Sequence, residues 1–454
     1  MHLLGTTERP LRVAIIGSGP AGFFTADPLL KSHVHCTVDL FDRLPVPFGL
    51  VRGGVAPDHP KTRKAAHTFE KLAEHPRFAF LGNVTIGRDL SIEELHHYYD
   101  AIVLATGAET DRTLGIPGGH LSGCHSAFSF VGWYNAHPDF ADCAFDLSQQ
   151  TAVVIGAGNV ALDVARILLT PADRLRHTDI AQHALDALAE SRVREVHVVA
   201  RRGPAQVKFA LAEVKEMGAI PGCAPVVCRE DLTLDDASAQ EIDTPDLERI
   251  MEIFGEYAAR PVGASDRRAF FRFLLSPHAV LGTDRVQAAV FEQTRLGGPP
   301  FRQQAEGTGR LTEIPCGLVF QSVGHQGVPI PGLPFDERDG IIPNTLGRVE
   351  HGGRPMPGTY VAGWIKRGPS GQIGTTKPDG HETAKAILAD ASALPPCPEP
   401  STQAVKTLLH ARGVRVVSFD DWHRIDAAEK ARGTLAGKPR ERFTRVGDML
   451  AAIQ

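Results

Sequence analysis

The sequence has seven cysteines, yet none sits in a metal-type CxxC pair. That lack argues against a resident zinc or iron–sulfur centre, and an odd cysteine count argues against a disulfide framework; a reducing, cytoplasmic compartment is expected. There is no apolar run long enough to cross a bilayer, so no stable membrane association is expected. Residues Met1 to Pro10 lack the charged-then-apolar layout of a signal peptide and read as a loose arm. Basic residues are not in surplus either: the net charge is −5, which speaks against nucleic acid as a partner. Low-complexity tracts are absent, and with 43% hydrophobic and 22% charged residues over 454 positions the chain reads as globular, with two to three domains.

What is abundant is glycine, 45 residues, much of it in short runs where backbone must approach something closely. The apolar run Leu11–Ile16 ends in GSGPAG, residues 17–22, followed by a helix-like stretch from Pro20 to Lys31 and a second apolar run, Cys36–Phe41, that stops at Asp42. This is strand, glycine turn, helix, strand. Gly17 allows the tight turn, Gly19 lets backbone amides reach a pyrophosphate, and Gly22 lets helix and strand pack closely; Pro20 and Ala21 complete the turn. The helix N-terminus then favours an anion. Asp42 can accept hydrogen bonds from ribose hydroxyls and would repel a 2′-phosphate, so this turn suits FAD or NAD. Pro28 lies inside the helix and is expected to kink or shorten it.

The grammar then repeats. Thr151–Ile155 is a strand, Gly156, Ala157, Gly158, Asn159, Val160 and Ala161 form GAGNVA, and a helix runs to Leu169. After an excursion from Thr170 to Arg194, read as helical and solvent-facing, the strand Val196–Ala200 ends in Arg201 and Arg202 instead of an acid. Two guanidiniums there can clamp a 2′-phosphate, which favours NADP(H). YDAIVLATG, ending in Thr106 and Gly107, is echoed by CGLVFQSVG, ending at Gly324; TYVAGWI, residues 359–365, is a final buried strand. A proline-rich stretch from Leu394 to Pro400 reads as a linker before a helical, charged tail. The fold class expected is α/β, two Rossmann-like dinucleotide-binding domains with the NADP domain inserted into the FAD domain: residues 1–107, 108–324 and 325–454.

Long particular strings carry a further resemblance: DLFDRLPVPFGLVRGGVAPDHP (39–60), GAGNVALDVARILL (156–169), VARRGPAQVKFALAEVKEM (199–217), GWIKRGPSGQIGTTKPDG (363–380) and SFDDWHRIDAAE (418–429). Over nearly the whole chain they resemble the adrenodoxin reductase family, which includes bacterial ferredoxin–NADP reductases. The resemblance implies FAD contacts at Asp42, Gly49, Leu50, Val84, Thr106, Gly107, Gly363, Trp364, Gly371, Gln372 and Ile373. It implies NADP contacts at the 156–160 turn, Arg201, Arg202, Glu213 and Gly371. His59 and Glu213 match positions near the nicotinamide–flavin contact, where they can relay a proton or hold the nicotinamide. The implied partner is a ferredoxin-type iron–sulfur protein, bound transiently and serving oxygenases such as cytochromes P450, with the reductase a monomer. The segment 241–256 carries six acids and one arginine, so an acidic partner is expected to dock elsewhere; Arg192, Arg194, Lys366 and Arg367 are the candidates.

Other readings are weaker. A disulfide reductase needs a cysteine pair against the flavin, but FGLVRGGVAPDHP contains none, and Cys223 and Cys228 lie far downstream. A flavin oxidase or monooxygenase would need a dedicated substrate pocket that no motif marks. A glutamate-synthase-type subunit would bring cysteine clusters, and a non-enzymatic flavin protein would have no use for paired FAD and NADP sites.

Overall fold

The computed structural model describes residues 4–261, 263, 265–371 and 373–454. It forms two compact units, Met1–Asp111 with Gly324–Gln454, and Arg112–Val323. The second is inserted into the first.

In unit one a seven-stranded sheet runs in the order 344–345, 348–351, 354–361, 101–104, 11–16, 36–41 and 78–81. Its central strands are parallel; Val13 lies opposite Val38 on one side and Ala101 on the other. All six residues of Leu11–Ile16 are buried, as the apolar run demands of a strand covered on both faces. The two faces carry separate cores: Phe23, Phe48, Phe69 and Trp422 on one, Phe41, Leu95 and Tyr99 on the other.

Unit two holds a six-stranded parallel sheet in the order 124–126, 318–321, 151–155, 195–199, 267–272 and 223–227. Helix Asn159–Leu169 covers one face. The other is covered by an antiparallel three-stranded sheet, Leu275–Leu281, Ala288–Gly297 and Gln304–Pro315, which places Phe291 and Ile314 against Val153 and Val199. The sequence reading did not anticipate this second sheet.

Four expectations need correction. Residues 5–10 are not a loose arm: Arg9 grips the buried Asp100 with both terminal nitrogens, at 3.0 and 2.7 Å, and His35 N donates to Gly5 O. Asp100 also accepts from Cys397 N at 2.8 Å, so the proline-rich stretch is fastened as well. The Thr170–Arg194 excursion is helical but not merely solvent-facing, because Leu175, Ile180, Ala184, Leu185 and Leu188 are buried. Helix Pro20–Lys31 runs its full expected length through Pro28.

Candidate functional site

Each glycine turn opens a helix whose first N–H groups meet no side-chain cap among the described residues. Gly19 caps Pro20–Lys31 and Gly158 caps Asn159–Leu169, and neither offers a side-chain acceptor. The space above both is open: a Cβ added at Gly19 or Gly158 would meet nothing within 4 Å. Open space over unpaired donors is what a pyrophosphate requires, so both turns fit a dinucleotide.

In unit one the predicted residues converge on that turn. A Cβ on Gly49 would come within 2.9 Å of Gly19 Cα, one on Gly363 within 2.5 Å of Ala21 Cβ, and one on Gly17 within 3.0 Å of Thr106 N. Three chain segments therefore meet in a space that tolerates no side chain between them. Phe48, preceding Gly49, holds φ at 85°, a strained setting for a bulky residue, and its N–H donates to Ser18 O. Asp42 ends its strand as expected. Its carboxylate accepts from Ser18 N at 2.9 Å, Ser18 Oγ at 2.5 Å and Leu44 N at 2.9 Å, so the acid also braces the turn. Buried Val84 donates its N–H to Asp42 O. Leu50 opens a short helix, Leu50–Gly53, next to this turn.

Trp364 is half-buried, with Nε1 donating to Ser370 O at 3.2 Å. Gly371 holds φ at 80° and Ile373 begins a short 3₁₀ turn; Gln372 lies outside the described residues. Two residues here escaped the sequence reading. His325 stacks on Trp364 with ring centroids 6.0 Å apart and pairs with Asp111 at 2.8 Å. Asp379 accepts from Gly363 N and pairs with Lys366 at 2.8 Å. The strand echo that ends at Gly324 stops one residue short of His325. Lys366 is 7% exposed and bound to both Asp379 and Glu382, so it is not the docking cation expected of it. Arg367 is turned onto Ser370 O, while Arg192 and Arg194 are exposed.

In unit two, Arg201 is exposed and Arg202 half-buried, and among the described residues neither guanidinium makes an ion pair. Their backbone is fixed: Thr294 Oγ1 donates to Arg201 O at 2.8 Å and Leu274 N to Arg202 O at 3.1 Å. The next residues fold back on the glycine turn, with Lys208 N donating to Ala157 O at 2.9 Å and Ala210 N to Asn159 Oδ1 at 2.7 Å. Val160 follows Asn159 and packs on the core. Glu213 pairs with Arg166 at 2.8 Å, a residue the sequence reading passed over. Arg166 is 3% exposed and also binds Asp163, which pins the Glu213 carboxylate.

His59 belongs to unit one, half-buried at the start of the helix Pro60–Arg63. Cys223 opens the five-residue strand Cys223–Val227 and Cys228 follows its end, which separates them by roughly 16 Å and precludes a disulfide between them. Burial pushes the Cys223 thiol up to about 12, and the hydrogen bond to Glu230 raises that of Cys228. Neither is a thiolate near neutral pH.

Comparison with known proteins agrees with this geometry. Residues 11–206 match the family model described as pyridine nucleotide-disulphide oxidoreductase. The mitochondrial NADPH:adrenodoxin oxidoreductase of Mus musculus is 46% identical over 462 residues, covering 99% of this chain and 92% of that protein. The NADPH-ferredoxin reductase FprA of Mycobacterium tuberculosis is 44% identical over 455 residues, covering 97% and 99%. A solved structure of M. tuberculosis FprA in complex with NADPH superposes with a TM-score of 0.93 at 42% identity, covering 98% of this chain and all of that one. With such identity from end to end, the chain belongs to the adrenodoxin reductase family of pyridine-nucleotide oxidoreductases.

Proposed function

We propose that the chain is an FAD-dependent ferredoxin–NADP+ reductase that takes electrons from NADPH and delivers them singly to a ferredoxin-type iron–sulfur protein. The observation that carries this reading is the pair of open glycine turns in one chain, one strand end closed by an acid and the other by two arginines that make no ion pair among the described residues. FAD and NADP(H) are the two dinucleotides these ends select. Bound FAD supplies the conversion of a two-electron hydride donor into a one-electron source.

The chain's own residues supply placement. The segments of Gly17–Gly22, Gly49, Thr106 and Gly363 cradle the FAD phosphates and ribose, with Asp42 at the ribose and Trp364 offering a flat apolar face. Leu50, Val84, Gly107, Gly371, Gln372 and Ile373 complete that site. Gly156–Val160 receive the NADP pyrophosphate, and Arg201 and Arg202 its 2′-phosphate. Glu213, pinned by Arg166, is an acceptor suited to holding the nicotinamide end, and His59 is the titratable group that would relay a proton. FAD belongs to residues 1–107 and 325–454, NADP(H) to residues 108–324.

The ferredoxin engages transiently, the reductase works as a cytoplasmic monomer, and NADPH oxidation is its direction; the free thiols of all seven cysteines suit a reducing compartment. Steady-state NADPH oxidation coupled to cytochrome c reduction tests the assignment. Turnover that rises with added ferredoxin supports it. Equal turnover without ferredoxin, ending on oxygen, would move the chain to the oxidase class.

A further inference from the structure

Behind the two arginines lies a buried polar cluster that no motif marks. The loop Gly203–Gln206 follows Arg202 directly, and Gln206 turns inward, 6% exposed. Its Nε2 faces Ser238 Oγ at 3.2 Å, Glu241 Oε2 at 3.1 Å and Gln303 Oε1 at 3.1 Å. Ser238 spends its own proton on Gln303 Oε1, at 3.0 Å, so all three groups around the amide nitrogen are acceptors. Glu241, 8% exposed, also accepts from Phe301 N at 2.7 Å and makes no ion pair among the described residues. A buried carboxylate satisfied by neutral donors is costly to leave unmatched, so the Gln206 amide is held where it is. Its Oε1 has no hydrogen-bond partner among the described residues and packs over Gly203, where an added Cβ would come within 2.8 Å.

This cluster joins three segments distant in sequence: the arginine loop, the helix Asp236–Gln240 and the turn before strand Gln304–Pro315. The far end of the loop is fastened to the glycine turn through Ala157 and Asn159. The span between pyrophosphate donors and arginines is thereby set by a rigid piece of backbone, while the guanidiniums at its tip make no ion pair among the described residues. Binding then costs little ordering of the loop.

We propose that Gln206 is a positioning residue for cofactor selectivity: its amide, locked by Ser238, Glu241 and Gln303, holds the loop so that Arg201 and Arg202 meet the 2′-phosphate. The inference rests on the reading of those arginines as the 2′-phosphate clamp.

The test uses the full-length, FAD-loaded protein and two probes, 2′,5′-ADP and 5′-AMP, which differ by the phosphate in question. Gln206→Met should lower the ratio of their affinities about tenfold and raise KM for NADPH while kcat changes less than twofold. Arg201→Ala with Arg202→Ala sets the floor. If that double variant leaves the ratio intact, the clamp itself is wrong. If it collapses the ratio while folded Gln206→Met keeps the parent value, the clamp stands and the positioning role falls. Should Gln206→Met fail to fold, Ser238→Ala removes one acceptor from the same amide; an unchanged ratio there overturns the proposal, and a lowered one supports it.

Discussion

The two glycine turns share a grammar but are held in different ways. In unit one the residue that ends the second strand, Asp42, is bound to the turn it accompanies through Ser18. In unit two the corresponding arginines make no ion pair among the described residues, and their loop is braced from behind by Gln206, Ser238, Glu241 and Gln303. A carboxylate serving a neutral ribose can double as a structural acceptor without losing its role. A cation meant for a phosphate cannot be paired in advance, so its placement must come from other groups.

The contrast can be broken first at unit one. Glu429 is fully buried and bound by Arg52 at 3.0 Å, Arg440 at 2.8 Å and Phe443 N at 3.1 Å. Burial alone would raise its carboxyl, but the two guanidiniums outweigh it and keep it below its ordinary value. Arg52 lies two residues beyond Leu50, so the tail helix Phe419–Leu435 braces the segment that carries Gly49. Glu429→Ala takes the carboxylate from half-buried Arg52 and leaves Arg440 with Asp426 alone, and should cost about 3 kcal/mol in urea unfolding of the FAD-loaded protein. A loss below about 1 kcal/mol would show that the tail is not a brace.

At unit two, Arg201→Ala with Arg202→Ala removes two charge-assisted contacts worth about 1.5 kcal/mol each, a loss of roughly a hundredfold in kcat/KM for NADPH. NADH should lose far less, and equal losses would deny the difference between the two strand ends.

A smaller effect separates the units by pH. Burial, and then the nearby Arg272 charge, lower His197 to about 4. The folded protein therefore keeps it neutral where the unfolded chain takes up a proton near 6.5. Stability is present above pH 6.5 and lost as pH falls toward 4, by at most about 3 kcal/mol from this residue. Urea unfolding of His197→Phe across that range should show a loss smaller by about this amount; an identical slope would remove His197 as the cause. The smallest effect is expected for Cys223→Ser with Cys228→Ser, which should leave NADPH-dependent dye reduction within about twofold of the parent.

Much of this architecture is legible in the sequence because its signals are local. A buried strand, a glycine turn and a charged strand end fall within about 50 residues each, and the positions Gly17–Gly22, Asp42, Gly156–Val160, Arg201 and Arg202 follow from them. Groups assembled from distant segments are not legible in that way. Lys366 reads as surface charge until Asp379 and Glu382 fold around it. His325 gains meaning only when Trp364 and Asp111 meet it, and Gln206 only through partners 32 to 97 residues away. The arm before Leu11 reads as loose because Asp100, its anchor, lies 91 residues beyond Arg9.

The most direct test of the whole account is anaerobic stopped-flow absorbance of the FAD-loaded protein, mixed first with NADPH or NADH and then with an oxidised ferredoxin. The account predicts fast flavin bleaching by NADPH, slow bleaching by NADH, and reoxidation that matches ferredoxin reduction electron for electron. Bleaching at equal rates by both nucleotides, or a reduced flavin that ferredoxin leaves untouched, would contradict it.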